Sequence, residues 1–200
     1  MTILLTFMLG LSAALAAAAF YWKYLADEAI AALDLTDFST AKKRLQLSLP
    51  FGLAIGCCLV RQNYVSCSLL ACDLTFFFFL SLLATSDAFE NSYLTVLLLP
   101  PLALAFSRHL FLPLNPAGVL SALLLLFLLV GLAFLEKIGS GDVWFYAIIA
   151  AALSPLTATR TLLSGCLLCL LVNLTDWRLH EPLPFLPYLF VGLGIQALIF

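Results

Sequence analysis

The sequence predicts an all-α, polytopic integral membrane protein, and three observations carry that prediction. The 200-residue chain is 64% hydrophobic and only 10% charged, with a mean hydropathy of +1.13. A soluble domain of this length has too little interior to hide so much apolar surface, so its main solvent is lipid. The apolar residues also come in long runs rich in Phe, which suits lipid-facing helices better than the alternating strands of a barrel.

The runs can be taken in order. The first, about 2–20, ends in an A-x-A-like stretch but lacks a basic start and is longer than a secretory h-region. It reads as an uncleaved first membrane helix. Further runs fall at about 49–60, 67–86, 93–107, 116–135, 143–155, 159–175 and 185–200, which makes about eight transmembrane or membrane-embedded helices. A spanning helix needs roughly 20 residues, so the second and sixth are embedded or tilted. The sixth and seventh form a tight hairpin around Ser154-Pro155. Between the first two runs, residues 21–48 form the one sizeable polar stretch, read as a cytoplasmic or interfacial loop. No repeat or separate soluble domain is visible, so residues 1–200 constitute a single membrane domain.

Charge orients the chain and excludes one class of partner. The net charge of −2 and the lack of a basic tract give nucleic-acid binding no electrostatic support. Odd-numbered loops hold Lys23, Lys42, Lys43, Arg44, Lys137 and Arg178, whereas even loops hold Arg61, Arg108 and Arg160. The positive-inside tendency therefore places the odd loops in the cytoplasm and both termini outside.

Cys57, Cys58, Cys67, Cys72, Cys166 and Cys169 all lie in or beside apolar runs, which suits small buried side chains rather than a disulfide framework. Cys166 and Cys169 have C-x-x-C spacing but no second pair at zinc-binding distance. No metal and no cofactor are expected.

Carboxylates at membrane depth are costly and generally have a partner or a task. Asp87 closes the third run, and Asp142 opens the sixth directly after Gly139-Ser140-Gly141. Loops three and five are both odd, so the two aspartates share a membrane face whichever way the chain inserts. Each has a plain explanation when taken alone. Asp142 suits a helix N-terminus through capping and the macrodipole, and Asp87 suits an interfacial loop. His109 and His180 read as solvated interfacial groups. Asp73 lies about 21 Å from Asp87 along a helix, too far to pair with it, and reads as a structural interhelical group.

Taken together, these residues form a pattern. Gly139-Ser140-Gly141-Asp142 resembles the G-x-G-D signature of intramembrane aspartic peptidases, with Asp87 upstream at the end of another helix. Pro184, Phe185 and Pro187, within "PLPFLPYLFVGLG", resemble the P-F-G-P-x-L element of type IV prepilin peptidases. The chain is thus similar to that family from about residue 67 onward. It departs in having Trp144 where Lys is frequent, Tyr93-Leu94 where Ile/Leu-Pro is common, and Leu186 in place of the element's Gly. The first loop has no cysteine, so the zinc-binding domain of long family members is missing, as are the elements linked to N-methylation.

The resemblance implies an aspartic endopeptidase of the bacterial inner membrane. Its partners would be the bilayer and a prepilin or pseudopilin, whose leader is cut at the cytoplasmic face. Asp87 and Asp142 would be catalytic, and Gly139, Ser140 and Gly141 would form the active-site loop. Hydrolysis needs a base to activate water and an acid to protonate the carbonyl oxygen and then the amine, and two carboxyl groups sharing one proton supply both. The glycines are expected to open backbone conformations closed to other residues. Two other classes fit the composition: a small ion-coupled transporter, which predicts an internal repeat, and an inactive assembly factor keeping the same fold.

Overall fold

The computed structural model describes residues 3–26, 38–62, 66–90, 95–108, 118–173 and 184–199. Among these the architecture is all-helical: α1 (Ile3–Tyr24), α2 (Phe38–Arg61), α3 (Cys67–Glu90), a 3₁₀ turn (Thr95–Leu98), α4 (Leu99–Arg108), α5 (Val119–Phe134), α6 (Ser140–Ala152), α7 (Pro155–Asn173) and α8 (Leu186–Ile199). α1, α3 and α7 are long and apolar enough to cross a membrane; the others are shorter apolar helices or, in α2, a longer helix with an apolar second half.

The surface explains the hydropathy. α5 buries only Ala122 and Leu129, while Phe127 and Phe134 are 81% and 84% exposed. An apolar face of that kind is incompatible with water and suited to acyl chains.

Helices pack where side chains are small. α1 lies against α2 through Gly10, where an added Cβ would meet Gly52 O and Gly56 N, each at 2.7 Å. Gly52 and Gly56 have the G-x-x-x-G spacing that lets two backbones approach in the absence of a hydrophobic drive between helices. α8 is the hub, seated against α2, α3 and α7. Its Gly192 admits the α7 backbone at Gly165, and its Gly194 admits Ala54 of α2.

Local chemistry sets several boundaries. Pro100 and Pro101 fall in the first turn of α4, where a missing N–H costs little, and the chain enters through the 3₁₀ turn. The predicted hairpin at Ser154-Pro155 is present. Ser154 Oγ accepts the Thr157 N–H at 3.0 Å and Pro155 takes the first helical position of α7. Two expectations need correction. α1 runs on to Tyr24 and α2 begins at Phe38, so the polar stretch 21–48 is partly helical. Arg108, counted as a loop cation, is buried, and its Nε donates to Asp73 Oδ1 at 2.8 Å. Asp73 is thus an interhelical group, as its position predicts. A paired, buried arginine contributes nothing to loop charge, and Arg160 lies within α7.

Candidate functional site

The site is built from the ends of three helices. Asp87 stands in the last turn of α3, half-buried. Two residues on, Phe89 stacks on Tyr21 with ring centroids 5.9 Å apart and meets Trp22 edge-on at 5.0 Å, which ties this end of α3 to α1.

Asp87 Oδ2 accepts the backbone N–H of Leu186 at 3.0 Å, and the Phe185 N–H lies beside the same carboxylate. Leu186 opens α8, and the first N–H groups of any helix lack an intrahelical partner. Pro184 and Pro187 have no N–H to offer, so Phe185 and Leu186 are the donors this element can present. The carboxylate therefore caps α8 from another helix, at the positive end of its macrodipole.

Asp142 is the third residue of α6 and 9% exposed. The N–H of Gly139, the N-cap, donates to Asp142 Oδ2 at 3.2 Å, and the Asp142 N–H returns a bond to the Gly139 carbonyl, also at 3.2 Å. This reciprocal arrangement resembles a capping box, with a glycine carbonyl in place of the usual side chain. Asp142 Oδ1 makes no hydrogen bond among the described residues.

The charge of Asp87 reaches Asp142, at the start of α6. Helices α3, α6 and α8 thus bring Asp87, Asp142 and the Pro184–Pro187 element to one end of the bundle. Gly139 and Gly141 frame Asp142 there, with Gly141 buried and Ser140 exposed.

The expected use of the glycines is corrected. Gly139 is extended, at φ −70° and ψ 144°. Among the described residues positive φ occurs at Gly118 and at Glu136, with φ 56°. Glu136 occupies the left-handed position that ends α5. Its N–H donates to Ala133 O and the Lys137 N–H donates to Leu132 O, each at 3.0 Å, which is a Schellman ending built without glycine. The bend in "EKIGSGD" is therefore made at Glu136. A Cβ on Gly139 would meet nothing nearer than Asp142 Oδ2 at 3.5 Å.

The sequence did not place several neighbours at this site. Cys166 and Cys169 stand within electrostatic range of Asp142. Asn173 Nδ2 donates to Cys169 O at 2.8 Å and to Tyr188 Oη at 3.3 Å, joining the end of α7 to the first turn of α8. An amide closing a long apolar helix was the available signal. A groove of about 550 Å³ runs beside Asp87 between α2, α3 and α8, with Leu47, Phe51, Phe89, Pro187, Tyr188 and Val191 in its walls. All six cysteines are free, and no cluster of three His, Cys, Asp or Glu side chains occurs among the described residues. His109, Asp176, His180, Glu181 and the side chain of Glu90 lie outside the described residues.

Two carboxyl groups at one cluster of helix ends supply the acid and base functions on which peptide hydrolysis draws. Comparison of the chain with family models, with curated proteins and with solved structures returned no match.

Proposed function

We propose that the chain is a membrane-embedded aspartic endopeptidase that removes the leader of a prepilin or pseudopilin at the cytoplasmic face of the bacterial inner membrane. The convergence of Asp87 and Asp142 from separate helices carries this reading. In it, one carboxylate takes a proton from water and the other, protonated, donates to the carbonyl oxygen. The roles then reverse as the amine departs. The N-terminus of α8 holds Asp87 in place before substrate arrives. The groove beside Asp87 suits an apolar segment that enters from the bilayer while its basic leader stays in water. Peptide cleavage by this pair requires no metal ion.

One observation favours a second reading. Each aspartate also has a structural task, Asp142 at the start of α6 and Asp87 at the start of α8. An inactive assembly factor would keep both for that reason alone. Incubating the purified protein with a candidate prepilin in detergent separates the two. The peptidase reading expects a shorter product whose new N-terminus lies at the leader boundary, and intact prepilin after long incubation favours the scaffold.

A further inference from the structure

At the end of the bundle away from the aspartates, a cavity of about 180 Å³ is walled by Cys58, Arg61, Gln62, Arg108, Thr157 and Gln196. That is far more room than the roughly 10–15 Å³ needed for one water. Its hydrogen-bonding inventory is lopsided. Arg108 has five N–H donors and directs three bonds to protein acceptors: Asp73 Oδ1, Ala152 O and Gln62 Oε1. Two donors remain without a partner among the described residues. Gln62 accepts through its oxygen, and among the described residues its two amide hydrogens have no acceptor. Gln196 is only 3% exposed, and its side chain makes no hydrogen bond among the described residues. Arg61 ends α2, exposed at the rim, and adds a guanidinium with no bond among the described residues.

Asp73 already offsets the charge of Arg108, so Arg61 leaves the cavity with an excess positive charge. A donor-rich, positively charged pocket fits a ligand made of acceptors, above all a phosphate-type anion. A second feature identifies what carries the phosphate. An apolar groove of about 490 Å³, lined by Ile3, Phe7, Val60 and Leu198, adjoins the cavity and shares Arg61 and Ala197 with it. A polar pocket opening onto an apolar trough matches a head group joined to acyl chains.

We propose that this end of the bundle binds an anionic phospholipid, with its phosphate between Arg61, Gln62, Arg108 and Gln196 and an acyl chain along Ile3, Phe7, Val60 and Leu198. The site is separate from the aspartates and stands whether or not the protein cleaves peptides.

Thermal unfolding of the purified full chain in non-ionic micelles tests this, with phosphatidylglycerol, diacylglycerol or inorganic phosphate added. Phosphatidylglycerol should raise the melting temperature saturably; the other two should not. Arg61→Gln, at an exposed position, should fold normally and require about tenfold more phosphatidylglycerol for the same shift. Gln196→Leu should weaken the response in the same direction, and Lys137→Gln, at the opposite end, should leave it unchanged. An undiminished response in Arg61→Gln, or equal loss in Lys137→Gln, would overturn the proposal. An equal shift with diacylglycerol would assign it to chain packing alone, and one with inorganic phosphate to a free anion; either result also defeats the lipid site.

Discussion

The Leu186 backbone N–H donates to the Asp87 carboxylate at 3.0 Å, across 99 residues of sequence. This bond joins the end of α3 to the beginning of α8 and makes a side chain at the candidate site part of the fold. Removing the acceptor therefore has a structural effect apart from any chemical one. Asp87→Ala should lose about 1 kcal/mol of stability, the usual cost of a lost helix cap. Asp87→Asn keeps an acceptor oxygen and should unfold close to wild type. Thermal or denaturant unfolding in micelles reads the difference, and equal losses in both variants would show that the cap contributes nothing.

The Asp73–Arg108 pair makes a larger prediction. Both side chains are buried, and Arg108 also donates to Ala152 O at 2.6 Å, anchoring the far end of the helix that carries Asp142. Breaking a buried pair strands a charge at a cost of about 3–5 kcal/mol. Asp73→Asn should therefore lower the unfolding midpoint well below that of Asp87→Asn. The double replacement Asp73→Leu with Arg108→Met should recover part of the loss, because no charge is left unpaired. A double variant less stable than Asp73→Asn contradicts this account.

Glu136 predicts a gain. A non-glycine residue in the left-handed region costs about 1–2 kcal/mol, and Glu136 sits there with φ 56° at the end of α5. Glu136→Gly should raise stability by about 1 kcal/mol, since glycine is favoured at this position of a Schellman ending. A loss of stability on the same assay would show that the Glu136 side chain makes a compensating contact.

Much of this arrangement was legible in the sequence, and the parts that were not share a physical cause. Apolar runs locate helices because lipid demands them, so the segment order and the hairpin at Ser154-Pro155 emerge directly. The common end of Asp87 and Asp142 follows from parity alone. Backbone geometry is harder to read. Glycine signals permission for a left-handed turn, yet the turn here falls on Glu136, while Gly139 is extended. Partners distant in the chain are harder still. Nothing in "PLPFLPY" announces that its Leu186 N–H reaches Asp87, and Arg108 reads as a loop cation until its partner on α3 is seen.

Orientation gives a further check. Lys137 adjoins the aspartate end of the bundle, whereas Arg61 stands at the opposite cavity. In a variant cleared of native cysteines, Lys137→Cys and Arg61→Cys should react with a membrane-impermeant thiol reagent from opposite sides, Lys137→Cys from the cytoplasm. Labelling of both from one side would rule out a spanning bundle of this form.

The pairing of Asp87 and Asp142 is tested most directly by prepilin cleavage with Asp87→Asn, Asp142→Asn and the double variant, each confirmed as folded and inserted. If the two share a proton across one water, each single change should abolish cleavage. The double variant should be no worse than either, because residues acting as a unit do not contribute additively. Asp73→Asn, compared per folded molecule, should retain activity. Cleavage by well-folded Asp142→Asn at a rate comparable to wild type would contradict the account.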